Sequence, residues 1–454
     1  MTAGSGVSSW EPKPWRDVII LSTLAVLTMI PIPLGGAISG NDIIIPGLFA
    51  FTLVDVAVRS KTLDYFFPGR GNLQAVFVSL FFFAILLSYA RKPALPTSLL
   101  GVDSDMAGLK LYWRYFCCFL VYLTTIYWIN RNRVPPSQVF SAYFVVSLVM
   151  TGLGILMVFT GLKLPGLHGH IWEVSSTSVG ATRLPFLGVF AQLGFLLELS
   201  EARGKSKYRR WFLLLFAIGL VLSGGRAVLF STIAALIVWF VLNRRFLLTG
   251  IGAGMVVLLV FSAQLLQEIA PSAQLQQLAR VGDSLEQDSV ARSFVFKGLV
   301  DEIAENPVFG TGFGKSYDTG LVVIRGKFVR ADFVDKQLRS GSHSTHLQLL
   351  KNLGIVGYLP FILIWLYPVY RLLPVAMSTS RDYPAELSRC SRFCIVLTAA
   401  FLIRWAFEGN GSTTSAYVFA ALFSTLVTHA IYHQSLRHAE TLGLKKLTRA
   451  RLSS

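Results

Sequence analysis

The chain has 454 residues, 53% of them hydrophobic and only 14% charged, with 41 Lys and Arg against 24 Asp and Glu and a formal net charge of +17. A water-soluble chain of this size carries about a quarter charged residues and sets its apolar residues in short periodic stripes. Here they form long blocks, which excludes an ordinary soluble multidomain protein. The basic residues sit in short connectors between those blocks instead of on one solvated face, so they read as topology signals and not as a nucleic-acid footprint.

A helix needs about 20 mainly apolar residues to cross the roughly 30 Å hydrocarbon layer. Counting uninterrupted apolar stretches predicts an all-α, polytopic membrane helix bundle of about twelve transmembrane helices. The spans fall at 18–34, 43–58, 73–90, 109–129, 139–162, 183–199, 211–223, 227–242, 246–266, 347–370, 392–407 and 414–433. The pair flanking Ser223-Gly224-Gly225-Arg226 is joined by so few residues that a broken or re-entrant element is an alternative there. The first stretch is long, contains Pro31 and Pro33, and lacks a good small-residue cleavage site, so it reads as a retained anchor instead of a signal peptide.

Lys and Arg alternate between connectors. One set holds Arg59, Lys61 and Arg70; Arg131 and Arg133; Arg203, Lys205, Lys207, Arg209 and Arg210; Arg244 and Arg245; and Arg371, Arg381, Arg389 and Arg392. By the positive-inside rule these face the cytoplasm, together with Lys13, Arg16 and the tail bearing Lys445, Lys446, Arg449 and Arg451. The turn at 35–42 and the segments 91–108, 163–182 and 267–346 then face outward, and both termini lie inside.

The chain therefore divides into helices one to nine over 1–266, an outer loop over 267–346, and three helices with a basic tail over 347–454. The loop is too long for a passive connector, which concentrates function there. Within it, 290–305 sets Phe294, Leu299 and Ile303 beside Arg292, Lys297, Glu302 and Glu305, as in an amphipathic helix on the membrane surface. Cys117, Cys118, Cys390 and Cys394 lie in or beside apolar segments and indicate neither a disulfide framework nor a metal site.

Three outward positions put ionisable groups at the bilayer edge, where desolvation makes charge costly unless it is used: Arg226, Arg292 and His343. Arg226 could equally be a snorkelling anchor, and for Arg292 the residues alone favour an interfacial lipid-headgroup contact. His343 and His346 stand one helical turn apart before a long span, with no nearby carboxylate or cysteine to complete a metal site. A helix N-terminus disfavours imidazolium, so His343 would stay neutral and suit a general base. Gly310-Thr311-Gly312-Phe313-Gly314 has the look of a phosphate loop but follows a helical stretch, and reads as a turn. Asp103-Ser104-Asp105 reads as a solvated outer turn instead of a Mg²⁺ site.

Three separated stretches resemble the O-antigen ligase and polymerase superfamily of bacterial envelope glycosyltransferases. Ser223-Gly224-Gly225-Arg226-Ala227 is similar to the family's serine-arginine element. Arg292 with Phe296, Ile303 and Asn306-Pro307-Val308-Phe309-Gly310 and Gly312 is similar to its arginine, helix and PxxGxG element. His343 with Leu347-Gln348-Leu349-Leu350, Gly354 and Gly357 is similar to its HNxxLxxLxxxGxxG helix entrance, with Ser344 where the family commonly has asparagine.

The resemblance implies a glycosyltransferase of the bacterial inner membrane with a polyprenyl-diphosphate-linked glycan (undecaprenyl diphosphate in bacteria) as donor. Arg226 and Arg292 would hold the diphosphate and His343 would activate the acceptor hydroxyl, with His346 and Lys315 as further substrate contacts. Arginine's planar fork can stabilise the departing diphosphate without a metal, so neither a metal nor a nucleotide cofactor need be invoked, and direct displacement inverts the anomeric centre. The single large loop and its position favour an O-antigen ligase with a lipid A-core acceptor. A polymerase of O-antigen or exopolysaccharide, or a transporter of lipid-linked glycan, is the alternative.

Overall fold

The computed structural model describes residues 41–58, 73–91, 104–132, 136–160, 175–176, 182–183, 185–223, 226–244, 299–312, 321–324, 327–330, 344–377 and 385–407. The helices are α1 (Asn41–Val58), α2 (Leu73–Arg91), α3 (Ser104–Asn132), α4 (Pro136–Thr160), α5 (Pro185–Leu199), α6 (Arg209–Leu222), α7 (Arg226–Leu242), α8 (Thr345–Met377) and α9 (Ala385–Phe407). A further stretch is helical over 299–305, where the amphipathic pattern is expected. Each helix overlies one expected span; those at 18–34, 246–266 and 414–433 lie outside the described residues. Leu73–Arg91, Ser137–Thr160 and Thr345–Met377 are long and apolar enough to cross a bilayer, and four shorter apolar helices accompany them. The chain is a multi-pass membrane protein.

Two short antiparallel hairpins stand beside the helices. β1 (Ser175–Ser176) pairs with β2 (Thr182–Arg183), and β3 (Leu321–Ile324) pairs with β4 (Lys327–Arg330) with Leu321 opposite Arg330. Both fall in segments expected to face outward. Helix α3 begins at Ser104, so Ser104 and Asp105 stand in its first turn and not in the solvated loop expected there.

Aromatic packing holds the bundle. Helix α9 lies at its centre, with Cys390, Phe393, Cys394, Val396, Leu397 and Ala400 fully buried. Phe393 meets Phe140 of α4 edge to face at 5.1 Å, and Trp405 packs on Trp365 of α8 at 5.2 Å. Large apolar side chains cover the perimeter: Phe83 is 60% exposed and Phe159 74%, a surface tolerable only against lipid.

Buried polar groups tie helix to helix, as a low-dielectric interior requires. Trp128 Nε1 donates to Thr52 Oγ1 at 3.0 Å, and Gln74 Nε2 to the Ile364 carbonyl at 3.0 Å. The Tyr127 hydroxyl bonds the Asp55 carboxylate.

The two ends of the bundle differ. At one, Arg392, two turns into α9, donates to Asn243 just past α7 at 2.8 Å and to the Ala376 carbonyl of α8 at 2.9 Å. Cys390 contacts the Ala202 carbonyl in the turn between α5 and α6. That turn is rich in charge: Arg203 bonds Glu198 at 2.9 Å and lies 3.7 Å over the Phe144 ring, while Arg209 bonds Glu201. These are the connectors expected to share one side of the membrane. Helix α6 leaves this end and α7 returns to it, so the two run in opposite directions.

Candidate active site

The opposite end gathers what is described of the three stretches singled out in the sequence. Its organising feature is a break in α8. Gly354 has φ 61° and ψ −168°, and it separates a short arm, 345–353, from the long apolar run that follows. A positive φ of this kind suits glycine alone, and a Cβ there would collide with the Val308 carbonyl.

A helix broken at one residue leaves amides and carbonyls without their i to i+4 partners, and inside a membrane those groups must bond elsewhere. The loop Pro307–Gly312 supplies the partners. The Ile355 amide donates to the Pro307 carbonyl at 2.9 Å and the Val356 amide to the Val308 carbonyl at 3.1 Å. In return, Thr311 and Gly312 donate their amides to the carbonyls of Lys351 at 2.8 Å and Asn352 at 3.0 Å. Gly310, at φ 69°, lets the loop backbone lie against Asn352. The Gly310-Thr311-Gly312 segment is thus a splice into the helix, where a simple turn is expected from the sequence.

An ion pair accompanies the splice. Lys351 Nζ lies 3.4 Å from Glu302 Oε2, both side chains being almost wholly buried, so the arm is fastened to the helical stretch 299–305. On the other side, Ser88 of α2 approaches the Asn352 carbonyl at 3.4 Å and the Tyr112 hydroxyl of α3 at 2.9 Å. The Arg91 guanidinium lies 4.8 Å from the Phe309 ring centroid.

Ser344 caps the arm. The Leu347 amide donates to Ser344 Oγ at 3.4 Å, and the Gln348 amide donates to the Ser344 carbonyl at 3.1 Å. Serine and asparagine are comparably good N-caps, so the departure from the family pattern at this position is explained by a role either residue fills.

His346 follows two residues later and both its ring nitrogens meet protein atoms. A carbonyl can only accept, so Nε2 carries the proton donated to the Leu402 carbonyl of α9 at 2.9 Å. Nδ1 then faces the Tyr358 hydroxyl, 3.3 Å away. Tyr358, Phe361 and Trp405 surround the ring edge-on. A histidine and a tyrosine twelve positions apart meet because the break folds the arm back on α8.

The start of α7 belongs to the same end. Gly188 near the start of α5 lets that helix approach the α6–α7 junction so closely that an added Cβ would stand 3.1 Å from both Ser223 Oγ and Val228 Cγ2. One turn further on, Gln192 Nε2 donates to Ser231 Oγ at 2.8 Å and Thr232 Oγ1 at 2.9 Å. This polar seam seats the first two turns of α7, whose opening residue is Arg226.

Of the residues expected to do chemistry, Arg292, Lys315 and His343 lie outside the described residues, and Arg226 is described in its backbone alone. His346 is at the site, as is Ser344, the neighbour of His343. Sequence reading passed over the Lys351–Glu302 pair, for which a lysine in an apolar helix entrance is the available signal. It also passed over Arg404, which is 2% exposed and lies two residues beyond Leu402 in α9. A charge inside an apolar run marks that residue.

Comparison with known families adds one finding: residues 211–362 match the family model described as O-antigen ligase. The match runs from α6 into α8 and contains the α6–α7 junction, the spliced loop and the capped arm. No curated protein matches the chain.

Proposed function

With the O-antigen ligase superfamily supported by residues 211–362, we propose that this protein moves a glycan from a polyprenyl-diphosphate carrier onto a sugar hydroxyl of lipid A-core at the periplasmic face of the bacterial inner membrane. The observation that carries this reading is that the matched residues include three elements gathered at one end of the bundle. There the start of α7, the spliced loop and the capped arm gather opposite the end that holds the basic connectors. Both termini would lie in the cytoplasm.

In this mechanism His343 takes the proton from the acceptor hydroxyl as its oxygen bonds the anomeric carbon of the donor sugar. The bond from that carbon to the diphosphate oxygen breaks, with inversion, and the electron pair leaves with the polyprenyl diphosphate. Arg226 and Arg292 hold the diphosphate and offset its charge in a poorly hydrated site, where guanidinium forks act most strongly. The reaction calls for no metal. Lys315 is a further donor contact.

His346 takes a different part from the substrate contact expected of it. Its two ring nitrogens already serve Leu402 and Tyr358, so we assign it to bracing against α9 the arm that follows His343 in the chain. The Ser344 cap fixes where that arm begins.

The test is reconstitution. The purified full chain, given lipid-linked glycan and lipid A-core in detergent, should form the glycan-core product, and His343→Ala should abolish product while donor binding persists. Turnover by that variant would remove the base assignment, and transport without product would favour a carrier of lipid-linked glycan. In cells, gel analysis of lipopolysaccharide separates ligase from polymerase: loss of a ligase leaves lipid-linked polymer unattached, whereas loss of a polymerase leaves single repeats on the core.

A further inference from the structure

We infer that Arg91, at the outer end of α2, docks a phosphate of the acceptor glycolipid on the flank of the bundle away from the donor; the inference rests on the glycosyl-transfer reading above. Ser88 brings the last turn of α2 against the Asn352 carbonyl at the break in α8, and Arg91 stands three residues farther out. It is exposed. Its guanidinium lies over the ring of Phe309, itself 42% exposed, at 4.8 Å from the centroid. Among the described residues no carboxylate or carbonyl meets that guanidinium.

Such a contact holds the cation flat and leaves its N–H donors unused. The negative face of the ring takes the planar face of the guanidinium, and the donors of the fork remain in the plane, where phosphate oxygens pair with them. The helix dipole favours a cation in the last turn of α2, but a lysine would serve that purpose as well. The end of α2 also faces outward by the distribution of basic connectors, where topology asks for no positive charge.

The apolar surface below Arg91 completes a lipid site. Val76, Leu80, Phe83 and Leu86 recur at helical spacing on the exposed face of α2, and Arg91 falls on that face three turns past Leu80. On α8, Leu359 and Ile355 are exposed, and the bond from the Val356 amide to the Val308 carbonyl carries their surface onto exposed Val308 and Phe309. Acyl chains can lie along this surface and end where the guanidinium meets a headgroup.

The flank decides which lipid this is. Helix α7, whose start is assigned to the donor, packs on α9; α9 packs on α8, and α8 packs on α2. Arg91 and the start of α7 therefore stand on opposite flanks of the α8–α9 pair. Direct displacement has the same layout, because the attacking hydroxyl enters opposite the departing diphosphate oxygen. Lipid A carries its phosphates at the membrane and the core extends from it, with the accepting hydroxyl several sugars away. A phosphate held at Arg91 leaves the core free to reach the arm between the flanks.

The experiment uses the purified full chain in detergent, glycan transfer as the readout, and two acceptors: lipid A-core and the same glycolipid stripped of its lipid A phosphates. Arg91→Gln should raise the KM for the phosphorylated acceptor about tenfold, the loss expected of a charge-assisted bond. Its donor KM, its kcat and its KM for the stripped acceptor should match the native protein. Arg91→Lys should recover part of the loss, and Phe309→Leu, which removes only the ring, should raise the KM for the phosphorylated acceptor about two- to fivefold.

If Arg91→Gln transfers glycan with native KM values for both acceptors, the assignment is wrong and the function stands. An equal rise for both acceptors, or loss of fold in both Arg91 variants, would make Arg91 a structural residue and overturn it too. If an equal amount of phosphatidylglycerol abolishes the native preference for the phosphorylated acceptor, the site is a general phospholipid anchor and the assignment fails. If the native chain transfers glycan to neither acceptor, the functional reading falls and takes this assignment with it.

Discussion

The Gly312 amide donates to the Asn352 carbonyl at 3.0 Å, taking the place of the Val356 amide that an unbroken helix would supply. Val356 donates to Val308 instead. The loop and the helix therefore complete each other, and neither has satisfied backbone groups without the other.

Gly354→Ala should be costly. Its positive φ and the Val308 carbonyl both oppose a side chain, so stability should fall by about 2–4 kcal/mol and transfer with it. Gly310→Ala should behave alike, since its Cβ would enter the Asn352 backbone. Gly152→Ala in α4 is the control: open space surrounds that position, and stability should hold or rise. Thermal unfolding in detergent measures all three, and an unperturbed Gly354→Ala protein would contradict the splice.

The Lys351–Glu302 pair should show the asymmetry of a buried ion pair. Glu302→Leu or Lys351→Met alone removes one charge of a buried pair and should cost about 3–5 kcal/mol. The double substitution should recover most of that loss. A double-mutant cycle on unfolding free energy reads the coupling, and additive losses would deny that the two charges meet in solution.

Ser344→Asn should preserve stability and transfer, because asparagine caps a helix as well as serine does. Ser344→Ala should lose about 1 kcal/mol and reduce transfer by loosening the arm. A chemical role for the hydroxyl would reverse this expectation, with Asn as inactive as Ala.

The two histidines should separate kinetically. His343→Ala should remove transfer without moving the melting temperature. His346→Ala should lower the melting temperature, as expected for loss of about 1–3 kcal/mol with its bond to Leu402, and should leave measurable turnover. Tyr358→Phe, which forfeits only the longer bond to Nδ1, should stay within about 1 kcal/mol of the native protein. Equal loss of turnover in both histidine variants, with both folded, would withdraw the brace assignment.

Arg226→Lys and Arg292→Lys should each weaken donor binding by at least about tenfold, because an ammonium is a point charge that cannot grip paired oxygens. Isothermal binding of polyprenyl diphosphate checks this, and undiminished affinity in either variant would exclude that arginine from the clamp.

What the sequence made legible follows from what hydropathy measures. The helices at 43–58, 73–90 and 227–242 are evident because an apolar run between charges is what a bilayer selects. The break at Gly354 is not, since a lone glycine in an apolar run is compatible with a continuous helix. The Gly310–Gly312 segment is read as a turn for the same reason: its partners, Lys351 and Asn352, lie forty residues away, and no local pattern encodes that pairing. Ser344 looks like a defect in a motif until its Oγ is seen to accept from Leu347. Arg404 escapes because it sits inside the span read at 392–407, and counting apolar residues gives no sign of which side chains of a span are packed inside.

The union of loop and helix at Gly354 is made by four amides and four carbonyls, and main-chain atoms are the same in nearly every residue. Val308 and Phe309, whose side chains face outward beside it, could therefore drift widely in identity without loosening the joint. An inserted or deleted residue between Pro307 and Gly312 is another matter. It would put donors and acceptors out of step on both sides of the break at once, so this part of the protein is governed by spacing more than by spelling.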